Sequence, residues 1–307
     1  MNLDLRVNGS TKLTGLIGNP VEHTVSPVLQ NSLFSATGTN GIYLPLRVPE
    51  GYLGDAVKGL KSVGFTGFNV TIPYKGAIME YLDEVSEEAE LLEAVNTVKL
   101  EGDRLIGYNT DADGFLRAFS EQTNTGFAQK KVCILGAGGT ARTLAIKIAL
   151  EGADKICIIN RTLSNAKMLA DKINKVMSRQ LHVKKTDTCD ASTVTAAAAG
   201  SPESDFALEE CDIIINATSV GMHPNTDFCP LEERFSFRPE QIIYDVIYNP
   251  IETKLMALAR RSGCIVVNGA GMLFYQGVKA FEIWMGPIIA EEKLEEITNE
   301  FLKYLLM

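Results

Sequence analysis

Apolar residues in the first third of the chain follow two alternating rhythms. Short runs, LTGLIG, IYLPLRV and FTGFNVTI, carry the dense apolar spacing of buried strands, and between them SPVLQNSLFSATG and GYLGDAVKGLKSVG repeat apolar residues every three or four positions. Strand, helix, strand, helix, strand in that order predicts parallel pairing under crossover helices. A hairpin follows, with AVNTVKL and RLIGYN flanking the turn residues EGD. Near Asp111 the chain leaves this unit, and KKVCILG opens a second series that runs through KICIINR, CDIIINA, QIIYDVI and CIVVNG. The tail, LFYQGVKAFEIWMG and IIAEEKLEEITNEFLKYLL, reads as two helices. Two α/β domains fit this pattern better than one. The stretch SRQLHVKKTDTCDASTVTAAAAGSPESD breaks the rhythm; its alanine run reads as the end of a helix and SPESD as a loop.

Composition narrows the classes. With 307 residues, 46% of them hydrophobic, the chain is long enough for two modest cores. A formal charge of -9 argues against nucleic acid and against an anionic membrane, since either wants a basic face. Six cysteines at 133, 157, 189, 211, 229 and 264 form no CxxC pair and read as reduced, packed thiols, and the three histidines form no HExxH. No metal site is expected. MNLDLRVNGS lacks the basic-then-apolar character of a signal, and no apolar run nears bilayer length, which points to a soluble, cytoplasmic protein.

The strand KKVCIL runs into Gly136, Ala137, Gly138 and Gly139, with Ala141 at the last position of a GxGxxG/A spacing. The first glycine permits a tight turn, and the second lets a pyrophosphate approach backbone N–H groups at a helix N-terminus. The helix TARTLAIKIALEG and the strand KICIIN follow at the distance of a Rossmann-type dinucleotide-binding unit. Where an NAD site usually places Asp or Glu, this chain has Asn160, Arg161 and Thr162. No carboxylate there repels a 2′-phosphate, and one guanidinium can pair with it, so NADP is the expected cofactor, with NAD possible.

Chemistry-bearing residues concentrate elsewhere. NVTIPYK puts Asn69, Thr71 and Lys75 close in sequence, with Pro73 restricting the turn, and GYNTD adds Asn109 and Asp111. Alcohol oxidation needs a group that takes the hydroxyl proton as hydride leaves and returns it in reduction; a lysine with a carboxylate partner can serve.

Taken in order with GNPVEHTVSP, AVNT, GYNTDADG, GAGGTAR, NATSVGM and NGAGMLFYQG, these motifs closely resemble the shikimate dehydrogenase family over nearly the whole chain. The resemblance implies that residues 1–112, completed by C-terminal helices 271–307, form the substrate-binding and catalytic domain, and that 113–270 form the Rossmann domain. It implies Lys75 and Asp111 as the proton-transfer pair, and Thr24 and Ser26 on the substrate carboxylate. Asn69, Thr71, Asn96 and Gln276 would read ring hydroxyls, Tyr248 would approach the carboxylate side, and Gly269 would join the cofactor-binding set. The implied reaction is the reversible NADPH-dependent reduction of 3-dehydroshikimate to shikimate, a step of aromatic amino-acid biosynthesis, by a monomer or homodimer acting on a small molecule.

Three positions depart from the family pattern. Thr24 stands where serine is usual, which narrows the carboxylate pocket and leaves shikimate against quinate open. Asn165 stands where strict NADP users often carry a second basic residue, with Lys167 two positions later, which loosens the cofactor preference. Ala112 replaces the usual glycine after the aspartate, with little effect expected at a helix start. The competing readings are a quinate/shikimate dehydrogenase using NAD and NADP, a catalytically silent NADP-binding regulator, and a dehydrogenase of an amino analogue of shikimate.

Overall fold

The computed structural model describes residues 7–184, 193–232, 235–286 and 289–306. In chain order the elements begin with β1 (Lys12–Gly18), α1 (Ser26–Thr37), β2 (Gly41–Arg47), α2 (Leu53–Ser62) and β3 (Phe65–Val70). A 3-10 turn at Ala77–Tyr81 precedes β4 (Glu84–Val85), α3 (Glu87–Leu92), β5 (Thr97–Glu101), β6 (Arg104–Tyr108) and α4 (Asp111–Thr123). The next elements are β7 (Lys131–Leu135), α5 (Gly139–Leu150), β8 (Lys155–Asn160), α6 (Leu163–Lys184), β9 (Thr193–Ala198) and α7 (Pro202–Glu210). They continue with β10 (Ile213–Asn216), β11 (Ile242–Asp245), α8 (Lys254–Arg261), β12 (Ile265–Asn268), α9 (Ala270–Met285) and α10 (Glu291–Leu305). The chain divides into two compact units: Met1–Gly114 with Leu273–Met307, and Phe115–Met272.

The first unit holds a mixed sheet in the order β2-β1-β3-β5-β6-β4. The strand and helix rhythm at the start of the chain gives the parallel pairing it predicts, β1 lying between β2 and β3. The hairpin β5–β6 adds the antiparallel part. Successive residues of β1 serve opposite faces. Leu16 joins Leu29, Phe34, Phe281 and Phe301 of α1, α9 and α10, and Ile17 joins Val57, Leu60 and Phe68 on the side of α2. Each fully buried Leu or Phe contributes about 1.5–3 kcal/mol of transfer free energy, so this packing rather than helix propensity holds the helices on the sheet.

The second unit is a six-stranded sheet ordered β12-β11-β10-β7-β8-β9 with every pair parallel. Read from the other edge this is the doubly wound order of a dinucleotide-binding fold, in which the chain returns from β9 to the centre and lays β10 beside β7. Ligands of such sheets bind outside the carboxyl ends of the strands at that reversal, which is where the glycine turn after β7 stands.

Two expectations are overturned. The alanine run forms the edge strand β9, with Val194 and Ala197 buried, instead of ending a helix. Pairing along the whole of β8 outweighs alanine's helical preference. SPESD begins α7: the Ser201 hydroxyl accepts from the Ser204 N–H, Pro202 occupies the first turn, and Glu203 and Asp205 face the positive helix end. The part of that stretch at 185–192 lies outside the described residues, as does Cys189.

Among the described residues no helix is long and apolar enough to cross a membrane, and no cluster of His, Cys, Asp and Glu is placed to hold a metal ion. Among the described residues, Cys133, Cys157, Cys211, Cys229 and Cys264 take part in no disulfide.

Candidate active site

In the first unit, the segment after β3 is tied down on both sides of Lys75. The Tyr74 N–H donates to the Thr71 carbonyl at 2.9 Å and its phenol to the Val48 carbonyl at 2.8 Å, while the Lys75 carbonyl accepts from Val95 N–H at 2.8 Å. Asp111 opens α4, its N–H held by Asn109 Oδ1 at 3.0 Å, and Asn109 Nδ2 donates to the Ala94 carbonyl at 2.8 Å. Backbone anchoring therefore delivers two distant residues to one point. Lys75 Nζ lies 2.6 Å from Asp111 Oδ2, and Asn96 Nδ2 donates to Asp111 Oδ1 at 2.9 Å. The side chains are 34% and 16% exposed for lysine and aspartate, so the pair is neither a solvated surface bridge nor sealed away. Asp111 is the one hydrogen-bond partner of Nζ among the described residues, which leaves two ammonium hydrogens for a ligand.

Behind the pair stands a buried amide network. Asn96 Oδ1 accepts from the Thr110 N–H at 2.8 Å and from the Thr97 hydroxyl at 3.0 Å, and Asn96 Nδ2 also reaches Thr110 Oγ1 at 3.0 Å. Asn69 Nδ2 donates to the Asn96 carbonyl at 3.0 Å and to Thr97 Oγ1 at 2.9 Å. Both amides have spent their N–H groups on protein acceptors, and Asn96 Oδ1 already holds two protein donors, so Asn69 Oδ1, which holds the Tyr43 O–H alone, is the amide oxygen with a lone pair left for a ligand. Thr97 and Thr110, which orient the two asparagines, were not among the residues singled out from the sequence. The signal was present, since each directly follows an asparagine in AVNT and GYNTD.

At the start of α1, the Thr24 and Ser26 hydroxyls lie 3.2 Å apart, and the Ser26 N–H donates to Thr24 Oγ1 at 3.3 Å. Thr71 is half-buried, and Gln276, on α9, is half-buried with Nε2 donating to the Leu273 carbonyl at 2.9 Å. The structure thus joins Lys75, Asp111, Asn96 and Asn69 in one network and pairs Thr24 with Ser26, while no direct bond ties Thr71 or Gln276 to these side chains.

In the second unit, Gly136 has φ +110°, and a Cβ there would lie 2.9 Å from the Ala217 carbonyl oxygen. Its N–H donates to the Ile159 carbonyl at 2.8 Å, which closes the turn after β7. Ala137 is half-buried, Gly138 and Gly139 are exposed, and α5 starts at Gly139 with no side chain capping it. Bare N–H groups and the positive helix end together suit a phosphate. At the end of β8, Asn160 Nδ2 donates to the Thr162 carbonyl at 3.0 Å, and Arg161 and Thr162 are exposed. Tyr248, beyond β11, is half-buried, and burial raises its phenol pKa. Gly269 follows β12, with its N–H on the Ile247 carbonyl at 3.0 Å.

The carboxyl ends of β10 and β11 are joined by polar side chains. Asn216 Nδ2 donates to Asp245 Oδ1 at 3.0 Å, Asn216 Oδ1 accepts from the Thr218 hydroxyl at 2.7 Å, and Asp245 Oδ2 accepts from the Thr253 hydroxyl at 2.7 Å. Burial, the largest influence, raises the Asp245 pKa against these hydrogen bonds.

Comparison with known proteins agrees with both halves of this arrangement. Residues 16–98 match the shikimate dehydrogenase substrate binding domain, and residues 119–204 match the shikimate / quinate 5-dehydrogenase model. The shikimate dehydrogenase (NADP+) of Methanopyrus kandleri is 40% identical over 305 residues, covering 99% of this chain and all of that protein. A shikimate dehydrogenase crystallised with NADP+ superposes with a TM-score of 0.83 at 38% identity, covering 96% of this chain and 97% of the other. The Listeria monocytogenes shikimate 5-dehydrogenase, solved with shikimate and NAD, gives 0.84 at 37% identity, with 95% and 98% coverage. Identity at this level along the whole length, with the same fold, is not reached by analogy of architecture alone, and the chain belongs to the shikimate dehydrogenase family.

Proposed function

We propose that this chain catalyses the reversible NADPH-dependent reduction of 3-dehydroshikimate to shikimate, and that the site residues act as follows. The observation that carries the reading is the Lys75 and Asp111 pair, 2.6 Å apart and open to a ligand, with its carboxylate oriented by Asn96. Lys75 Nζ hydrogen-bonds the oxygen on the reacting carbon, gives it a proton in reduction and takes one back in oxidation. Asp111 holds the ammonium in place and shares the proton transfer. The Thr24 and Ser26 hydroxyls donate to the substrate carboxylate. Thr71 and Gln276 contact ring hydroxyls, Asn69 Oδ1 takes a hydroxyl hydrogen, and Asn96, whose side-chain amide is fully bonded within the protein, orients Asp111 beside them. A ring substituent that cannot donate forgoes the bond to Asn69 Oδ1, which gives selectivity.

The residues of the second unit fit a dinucleotide phosphate. Gly136, Ala137, Gly138, Gly139 and the open N-terminus of α5 suit the pyrophosphate, and Asn160, Arg161 and Thr162 suit a 2′-phosphate, with Gly269 in the same set. Bound NADPH supplies the hydride. A catalytically silent regulator has no need of the oriented pair. The reading includes a cytoplasmic monomer or homodimer without nucleic-acid or membrane partners, in keeping with the net charge of -9.

Steady-state oxidation of shikimate and of quinate, each with NADP+ and with NAD+, followed at the reduced-nicotinamide absorbance, tests the proposal. Dominant turnover of shikimate with NADP+ is the expected outcome. Comparable quinate or NAD+ turnover moves the chain to the broader dehydrogenase reading and makes Thr24 and Asn165 the residues to vary. No turnover in any pairing overturns the enzymatic reading.

A further inference from the structure

Three neighbouring strands of the second unit end in the same way. Asn216 closes β10, Asp245 closes β11 and Asn268 closes β12, and the three lie side by side in register. Each side-chain oxygen accepts the N–H two residues on: Thr218 at 3.1 Å, Ile247 at 3.1 Å and Ala270 at 3.0 Å. Such a turn needs only an amide oxygen, and the outer two positions use one. The middle position carries a carboxylate although it is 0% exposed, where a charge is costly unless donors surround it. Asp245 has those donors. Oδ1 takes Asn216 Nδ2 at 3.0 Å as well as the Ile247 N–H, and Oδ2 takes the Thr253 hydroxyl at 2.7 Å.

These bonds reach further than one turn. Asn216 Oδ1 also holds the Thr218 hydroxyl at 2.7 Å, and Thr218 Oγ1 accepts the Val220 N–H at 3.1 Å, so the loop after β10 hangs from Asn216. Thr253 caps α8 through the Met256 N–H at 3.3 Å. The carboxylate therefore ties the loop after β10, the loop after β11 and the start of α8 to one buried point, and such a network holds its members more tightly than separate pairs do. Both loops border glycines proposed for the cofactor. A Cβ at Gly136 would meet the Ala217 carbonyl oxygen at 2.9 Å and the Thr218 methyl at 3.1 Å, and one at Gly269 would overlap the Val246 carbonyl.

We propose that Asp245 is a positioning residue for the nicotinamide half of the cofactor, its carboxylate holding the loops after β10 and β11 in the arrangement that hydride transfer needs. The inference rests on the reaction proposed for this chain. A doubly wound sheet binds a dinucleotide in two halves. The glycine turn and Arg161 follow β7 and β8, and the loops after β10 and β11 fall to the other half. Asp245 acts through Asn216 and Ile247 and touches no ligand. Without its carboxylate the two loops lose their common anchor, while the pyrophosphate and 2′-phosphate keep their partners after β7 and β8. Cofactor affinity then survives and the hydride step slows.

The test compares wild type, Asp245→Ala and Asp245→Asn in the full chain. NADPH affinity is read by fluorescence titration, and the hydride step by single-turnover oxidation of shikimate bearing hydrogen or deuterium on the reacting carbon. In Asp245→Ala the isotope-sensitive rate constant falls about ten- to a hundredfold, the scale of a displacement of about 1 Å at the reacting atoms, while the Kd for NADPH stays within about threefold. Asparagine keeps an oxygen for Asn216 and Ile247, so Asp245→Asn restores the rate constant to within about threefold of wild type. A merely structural aspartate lowers the melting temperature and the amount of active enzyme but leaves that rate constant unchanged. Such a result overturns the inference, as does an Asp245→Asn rate as low as that of Asp245→Ala. If Asp245→Ala does not fold, Asn216→Ala cuts the connection to the loop after β10 and leaves Asp245 with Ile247 and Thr253. A slowed hydride step at retained NADPH affinity then supports the inference, and a wild-type rate overturns it. An inert wild type overturns the reaction and the inference together, whereas an active wild type with an indifferent Asp245→Ala overturns the inference alone.

Discussion

Lys75 Nζ and Asp111 Oδ2 lie 2.6 Å apart although the residues are 36 positions apart in the chain. The loop after β3 brings the first and the N-terminus of α4 the second, and each backbone is anchored independently of the ion pair. Lys75→Ala should therefore remove the amine without collapsing the site. Its kcat falls by about two to four decades, the usual scale for a positioned acid or base, while NADPH binding by fluorescence titration is retained. A kcat near wild type would take Lys75 out of the chemistry.

Arg161 stands exposed immediately after β8, where no carboxylate accompanies it. Arg161→Ala raises the KM for NADP+ by about five- to twentyfold, the range of a charge-assisted hydrogen bond partly screened by water. The KM for NAD+ moves less than about twofold. Equal losses for the two cofactors in steady-state assays would show that the arginine does not read the phosphate.

Asp245 is fully buried, and burial raises its pKa above the unfolded value. A carboxyl with a raised folded pKa binds more protons folded than unfolded between the two values, so its contribution to stability declines as pH rises through that window. Asp245→Asn removes the titration and keeps an oxygen for the Asn216 and Ile247 donors. Thermal unfolding from about pH 4, the ordinary aspartate value, to about pH 7 should show wild type losing stability relative to the variant. A constant difference would remove Asp245 from the pH dependence.

Gly67, on β3, faces the chain's single tryptophan, Trp284, whose Nε1–H donates to the Val98 carbonyl at 2.9 Å. A methyl group at Gly67 would overlap the indole. Gly67→Ala destabilises by about 1–3 kcal/mol, as overpacking does, and shifts the tryptophan emission to the red as the ring is displaced. Unchanged emission with unchanged stability would contradict this packing.

Much of the fold was legible because most strands here are short apolar runs bounded by turn residues, a local signal. LTGLIG, KKVCIL and CDIIIN all became strands in the expected series. β9 escaped because TVTAAA has little apolar bulk; what makes it a strand is the edge of β8 beside it, which is not local. The glycine turn could be read from spacing, as a positive φ at Gly136 requires. The pairing of Lys75 with Asp111 could not: it depends on tertiary anchoring, and family resemblance supplied it.

The first unit is assembled from two separated stretches, and this gives the protein a timetable. Residues 1–114 leave the ribosome early but lack Phe274, Phe281, Trp284 and Phe301, which pack with α1 on one face of their sheet. The unit coded in the middle, Phe115–Met272, is contiguous and can be finished first. Until α9 and α10 emerge, Leu29, Phe34 and Tyr43 lack part of their cover, so the sheet that carries Lys75 is the last part of the nascent chain to be protected from proteases.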